Sequence, residues 1–183
     1  MRQIRGGHAV FDVDVSQIVA LGEVYERAGK DGPKIVAAAM NQRGNVAFTQ
    51  VARATAKETG LPVGQTKQHM RKVKAQPRDL VFTIRAWGKN LSLKNFGARQ
   101  VRKGVSHKGW GRRQVAKGAF IIEKYDGEVY RRISKKRRPI TKLYGPSIPD
   151  EMVKGESYPA MLRAFDGLAD RLMHELGRRL GRK

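Results

Sequence analysis

Cysteine is absent from the 183 residues. That excludes disulfides, thiolate nucleophiles and cysteine–zinc sites, and it suits a cytoplasmic origin. No stretch approaches about 18 consecutive apolar residues, so no membrane span is expected. The N-terminal MRQIRGGHAVFDVDV has no apolar h-region, so no secretory signal is expected either. Aromatics are few, and none interleaves with basic residues in an RNP-like pattern. Anions are scarce: 16 Asp and Glu stand against 38 Lys and Arg, a formal net charge of +22. Such a balance repels itself and attracts polyanions. Hydrophobic residues still make up 40% of the chain, enough for a core.

The positive charge is concentrated. Residues 1–60 carry a net +2 and residues 139–183 a net +2, whereas 61–98 carry +7 and 99–138 carry +11. The middle of the chain therefore forms a basic face or arm mounted on near-neutral ends. Its densest part is Arg131–Arg138, where Arg131, Arg132, Lys135, Lys136, Arg137 and Arg138 place six cations in eight residues. Pro139 ends the run, and the apolar, proline-punctuated ITKLYGPSIP follows.

The length fits one domain spanning 1–183, with 97–117 as a flexible basic loop or arm. In AVFDVDV (9–15), Phe11, Val13 and Val15 alternate with Asp12 and Asp14, a half-buried strand pattern that puts both aspartates toward solvent. Ser16 is suited to cap a helix over Ile18, Val19, Leu21, Val24, Tyr25 and Ala28, which Gly29 ends. Asp31-Gly32-Pro33 opens a second helix, long and running to Thr59, with Ile35, Val36, Ala39, Met40, Phe48, Val51 and Ala54 on one face. Gly44-Asn45 is its weak point, and Gly60 closes it. Residues 63–75 read as a shorter basic helix.

After Pro77 the pattern changes. LVFTIRAW (80–87) has β-propensity, with NLSLKNF (90–96) as its hairpin partner across Gly88-Lys89. Residues 97–118 hold five glycines and few aliphatics and read as loop. AFIIEKY and EVYRRI flank Asp126-Gly127, a hairpin turn signal. From Asp150 the chain reads as one amphipathic helix with Leu162, Phe165, Leu168, Ala169, Leu172, Leu176 and Leu180 as its stripe. Arg178, Arg179, Arg182 and Lys183 suit the dipole at its end. The fold class is α+β: N-terminal helices, a central antiparallel β region with long basic loops, and a C-terminal amphipathic helix.

Catalytic patterns are missing. His8, His69, His107 and His174 are isolated from one another, and His174-Glu175 lacks the second histidine of HExxH. The glycines from Gly104 to Gly118 match neither GxxxxGK[ST] nor GxGxxG. No carboxylate pair or metal-binding acidic set stands out, so no enzyme activity, cofactor or metal is expected. KGWGRR (108–113) can cradle phosphate through backbone N–H groups with Arg112 and Arg113, or be a plain mobile loop. The basic run admits contact with nucleic acid through phosphates, contact with an acidic protein surface, or a solvated arm that orders on assembly. Trp110 and Tyr130 are placed to add stacking.

The blocks GAFI (118–121), G.VYRR (127–132), KRRPI (136–140) and LYGPSIP.EM (143–152), followed by the RL..EL...L helix (171–180), come in an order that resembles the minor tail protein Z family of tailed phages and prophages. The segment AAAMNQ…VAFTQVARATAKETGLP (37–62) is similar to that family's N-terminal helical region. The resemblance implies a structural, non-enzymatic virion protein. Its expected place is the head-proximal end of the tail, after synthesis in the host cytoplasm, acting in tail completion or head–tail joining. It implies a ring of copies around the DNA path, with the tail terminator, head–tail connector and tail tube as partners. Under this reading Arg112, Arg113, Arg131, Arg132, Lys135, Lys136, Arg137 and Arg138 face DNA or an acidic partner. Ile140, Leu143, Tyr144, Pro146, Ile148 and Pro149 dock on a neighbouring subunit. The alternative is a stand-alone basic nucleic-acid-binding protein.

Overall fold

The computed structural model describes residues 2–5, 7–14 and 20–180. The expected strand residue Val15, the cap Ser16, Ile18 and Val19, and the terminal Arg182 and Lys183 lie outside the described residues. The fold is α+β. In chain order the elements are β1 Arg2–Arg5, β2 His8–Asp14, α1 Ala20–Ala28, α2 Gly32–Thr59, α3 Val63–Gln68, β3 Met70–Val73 and β4 Val81–Trp87. Then come β5 Arg99–Val101, β6 Gly104–His107, β7 Gln114–Lys117, β8 Ala119–Ile122, β9 Glu128–Arg132 and β10 Ile140–Lys142. The chain ends in α4 Ile148–Val153, α5 Ser157–Phe165 and α6 Leu168–Leu180. Among the described residues no helix is long and apolar enough to cross a membrane.

Strands β1-β2-β4-β3 form one antiparallel sheet. The alternation in β2 and β4 sets its faces. Ala9, Phe11, Phe82, Ile84 and Ala86 are buried on the helix side. Asp14 and Arg85 are exposed, and Asp12 accepts a bond from the Thr83 hydroxyl at 2.7 Å.

Helix α2 is the central element, packing against α1, α4, α5, α6 and β4. Its alanines at 37, 39, 47, 52 and 56 are all buried and let neighbouring helices approach closely. Gly44 does not break it. A Cβ there would fall 2.3 Å from the Phe82 ring, so this glycine is the notch that admits the aromatic side chain. Phe82 in turn meets Phe165 at 6.2 Å between centroids, and Phe11 meets Tyr158 at 5.3 Å. Each buried aromatic or aliphatic of this kind contributes roughly 1.5–3 kcal/mol by leaving water. Of the face expected on α2, Phe48 and Ala54 are only half-buried.

Four expectations need correction. The basic helix over 63–75 ends at Gln68, and Met70–Val73 becomes β3 on the edge of the first sheet. The reason is Met70, whose burial against that sheet outweighs helix propensity in a polar segment. Residues 90–96 do not pair with β4, because β2 and β3 occupy both its edges. They instead form an extended stretch and a 3-10 turn, Leu93–Phe96, whose Leu93 and Phe96 are buried.

Residues 97–117 are not a flexible arm: β5, β6 and β7 form a three-stranded antiparallel sheet there. Its strands of three or four residues carry too few aliphatics to show a period, and the glycines supply the turns. Gly104 has φ 144° and would place a Cβ 2.1 Å from the Ala116 carbonyl oxygen, so only glycine fits. Finally, the C-terminal helix is three helices. It breaks at Gly155, beside Glu58, and at Gly167, where the Arg43 guanidinium occupies the space of a side chain. These breaks rotate Leu162 and Ala169 out to solvent, while Leu168, Leu172 and Leu176 stay buried.

Candidate functional site

The third sheet, β10-β9-β8, carries the basic run. Asp126 and Gly127, both at positive φ, turn the chain after a 3-10 turn at Glu123–Tyr125, so β8 and β9 pair as expected but across a longer connection. Strand β9 pairs with β10 in the register Arg132↔Ile140, Arg131↔Thr141, Tyr130↔Lys142. The Ile133 N–H donates to the Pro139 carbonyl at 3.2 Å and closes the hairpin. Ser134 to Arg138 form its tip. Arg131, Arg132, Lys135, Lys136, Arg137 and Arg138 are all exposed, on one hairpin.

A carboxylate clamp built on Glu128 and Asp126 anchors the hairpin. Glu128, mostly buried, accepts from the Ser92 hydroxyl, from Lys142 Nζ at 2.9 Å and from Lys94 Nζ at 3.3 Å. Lys94 also pairs with Asp126. Burial pushes the Glu128 carboxyl up, but donation from Ser92, Lys142 and Lys94 outweighs it and holds the pKa below the ordinary glutamate value. The bond to Asp126 raises the Lys94 pKa and the bond to Glu128 raises that of Lys142, so both stay cationic. Among the described residues none of the six hairpin cations pairs with a carboxylate. Arg132 instead lies 4.9 Å from the centre of the Phe120 ring.

Tyr125 and Tyr130 stand 5.7 Å apart between ring centroids. With Arg138, Pro139 and Ile140 they line an open cleft at the base of the hairpin. Aromatic faces thus adjoin the cations, an arrangement suited to sugar–phosphate chains. The sequence pointed to Tyr130; Tyr125 was hidden because it enters through the 3-10 turn rather than through strand pairing.

Arg112 and Arg113 are exposed as well, on a different turn. That turn leads into β7 and rests on the C-terminus of α2; Arg113 Nη1 donates to Ser106 Oγ at 3.0 Å. The eight cations thus fall into two groups, six on the hairpin and two on the turn.

The expected docking segment is mostly interior, which corrects part of the sequence reading. Pro146, Ile148 and Pro149 are buried within the subunit, with Ile148 only 1% exposed. Gly145 passes so close to Phe96 that a Cβ would lie 2.5 Å from its ring. The Gly145 N–H donates to the Leu91 carbonyl at 2.7 Å, and the Leu143 N–H to the Val129 carbonyl at 2.8 Å. The segment is a strap from the hairpin into α4, where the Ser147 hydroxyl accepts from the Asp150 N–H at 3.2 Å as N-cap. Its rigidity serves the chain's own core. Ile140 and Leu143 are half-buried, and Tyr144, 50% exposed with Lys142 over its ring, is the surface residue of the set.

Among the described residues no three His, Asp or Glu side chains converge as metal ligands. No family model, no curated protein and no solved structure matches this chain. The functional reading therefore rests on the short blocks quoted above and on the geometry of the hairpin.

Proposed function

We propose that this chain is a structural protein of a phage tail, acting in tail completion or head–tail joining at the head-proximal end. In this reading copies form a ring around the DNA path and contact the tail terminator, the head–tail connector and the tail tube. The observation that carries it is the β9–β10 hairpin, which holds six exposed cations with no described carboxylate partner. A lumen-lining element needs positive charge toward phosphates and no base readout. The hairpin offers that charge on an exposed surface. The KRRPI and GPSIP blocks fall on it or on its strap, and GAFI falls on β8, which pairs with β9. Tyr144 is the residue left to meet a neighbouring subunit.

The test is mass spectrometry of isolated tails with stoichiometry. The reading expects the chain in the tail fraction at a copy number that matches a ring. Absence from tails, together with tight, steeply salt-dependent binding of free DNA or RNA by the isolated monomer, would support the stand-alone nucleic-acid-binding alternative and sink this one.

A further inference from the structure

The turn from Lys108 to Arg113 holds a side chain that packing does not explain. Trp110 is 44% exposed. Its backbone sits at φ 58°, ψ 35°, a left-handed conformation that a large side chain adopts only where its surroundings impose it. Those surroundings are dense. The Lys108 N–H donates to the Phe96 carbonyl at 2.8 Å, the Gly109 N–H to Nδ1 of buried His107 at 3.2 Å, and Gln114 Nε2 to the Gly109 carbonyl at 3.0 Å. Burial lowers the His107 pKa, which keeps Nδ1 an acceptor near neutral pH. Gly111 lies against the end of α2, so close that a Cβ would be 2.3 Å from the Lys57 carbonyl oxygen. The turn is pinned from both sides, and the indole is held out of it, edge-on to His107 at 6.4 Å.

Next to this turn, Arg99, Lys108 and Arg113 line one cleft together with Asn95, Gly60 and Leu61. Cations beside a helix C-terminus are accounted for by its dipole. An exposed tryptophan held in a strained backbone is not. Every base has a π face, and stacking on an aromatic is tolerant of sequence, while lysine and arginine take up the phosphates. A base inside a duplex has no free face to offer.

We propose that Trp110 is a stacking platform for an unpaired base of single-stranded nucleic acid, whose phosphates occupy the Arg99–Lys108–Arg113 cleft. This site differs from the hairpin, whose cations engage phosphates whether the strand is paired or not. It also holds whether the chain acts in a tail or alone.

The test uses the full chain with a labelled dT12 oligonucleotide and, in parallel, a blunt 12-base-pair duplex, read by fluorescence anisotropy. Trp110→Asn removes the ring yet tolerates the left-handed backbone. It is expected to weaken dT12 binding about tenfold, the weight of one stacked base, and to leave duplex binding unchanged. Trp110→Phe keeps a ring and should retain most of the affinity. Unchanged dT12 binding by Trp110→Asn would overturn the proposal. An equal loss for dT12 and duplex would also overturn it, because the ring would then only support the fold. So would intact DNA binding combined with loss of the variant from particles, which would make Trp110 a protein contact. Because no assembled tail is needed for the binding comparison, failure of the tail assignment would leave its outcome untouched.

Discussion

The helical body, α1, α2 and α4–α6 with the first sheet, is built around Phe11, Ile35, Met40, Phe82, Ile84, Met161, Leu168, Leu172 and Leu176, all nearly inaccessible. The basic lobe, residues 97–142, has far less to bury: Val105, Ala119 and Val129, with Phe96 at its base. It is held by short antiparallel ladders, by the Glu128 clamp and by the strap through Gly145. The body is stabilised by removing apolar surface from water. The lobe's Asp126 and Glu128 pair with Lys94 and Lys142, and no described carboxylate pairs with the hairpin cations. One region makes the fold; the other holds exposed charge in a defined place.

The comparison is broken most severely at the joint. Gly60 ends α2 at φ 83°, and a Cβ there would fall 2.1 Å from the Lys108 carbonyl oxygen, across to the lobe. Gly60→Val combines left-handed strain with a clash against backbone and should cost about 4 kcal/mol in urea unfolding. Gly29, at φ 50° with open space around it, isolates the strain term. Gly29→Ala should cost only about 1 kcal/mol. Equal costs at both positions would mean that the lobe does not rest on the end of α2.

The same division explains what the sequence made legible. Much of the body was readable because burial writes a period: two in AVFDV and VFTIRAW, near 3.6 in α2 and in the leucines of α6; β3 and the breaks between α4, α5 and α6 were not. The lobe hid β5, β6 and β7 because ladders of three or four residues with one buried valine have no period to read, and glycine looks like loop whether or not it closes a turn. The basic run was visible by composition, and the β8–β9 pairing beside it by the Asp126-Gly127 turn. Its clamp was not, because Ser92 and Lys94 lie more than thirty positions from Glu128 and nothing local pairs them. GPSIP read as a docking surface because rigidity and apolarity suit an interface as well as a core. Only the position of Phe96 against Gly145 decides for the core.

A smaller effect tests whether the body tolerates charge only when it is fully partnered. Glu175 is buried at 0% exposure and accepts from Gln42 Nε2 at 2.9 Å, Arg171 Nη2 at 2.8 Å and Arg178 Nη2 at 2.8 Å. Burial pushes its carboxyl up. Donation from Arg178 and Gln42, with the charges of Arg178 and Arg171, overcomes that and leaves the pKa below the ordinary glutamate value. A folded-state pKa below the unfolded one gives stability that is present above the ordinary glutamate pKa and is lost as pH falls through the folded value. Glu175→Gln should therefore cost about 2 kcal/mol at neutral pH. The variant should also lose less stability than the native chain between about pH 5 and pH 3. Parallel acid profiles for the two proteins would remove Glu175 as the link between α6 and α2.

The smallest stability effect is expected where the charge is greatest. Lys135, Lys136, Arg137 and Arg138 are exposed at the hairpin tip, and no described carboxylate pairs with them. Replacing all four by Gln should change unfolding free energy by no more than about 0.5 kcal/mol, since surface positions away from caps and networks seldom do more. Relief of like-charge repulsion sets the sign toward stabilisation. Binding to duplex DNA should respond in the opposite sense. The slope of log affinity against log salt should fall by about four if each cation meets one phosphate. A large loss of stability with an unchanged salt slope would move these four residues from the partner's side of the comparison to the fold's, and with them the assignment of the hairpin as the contact surface.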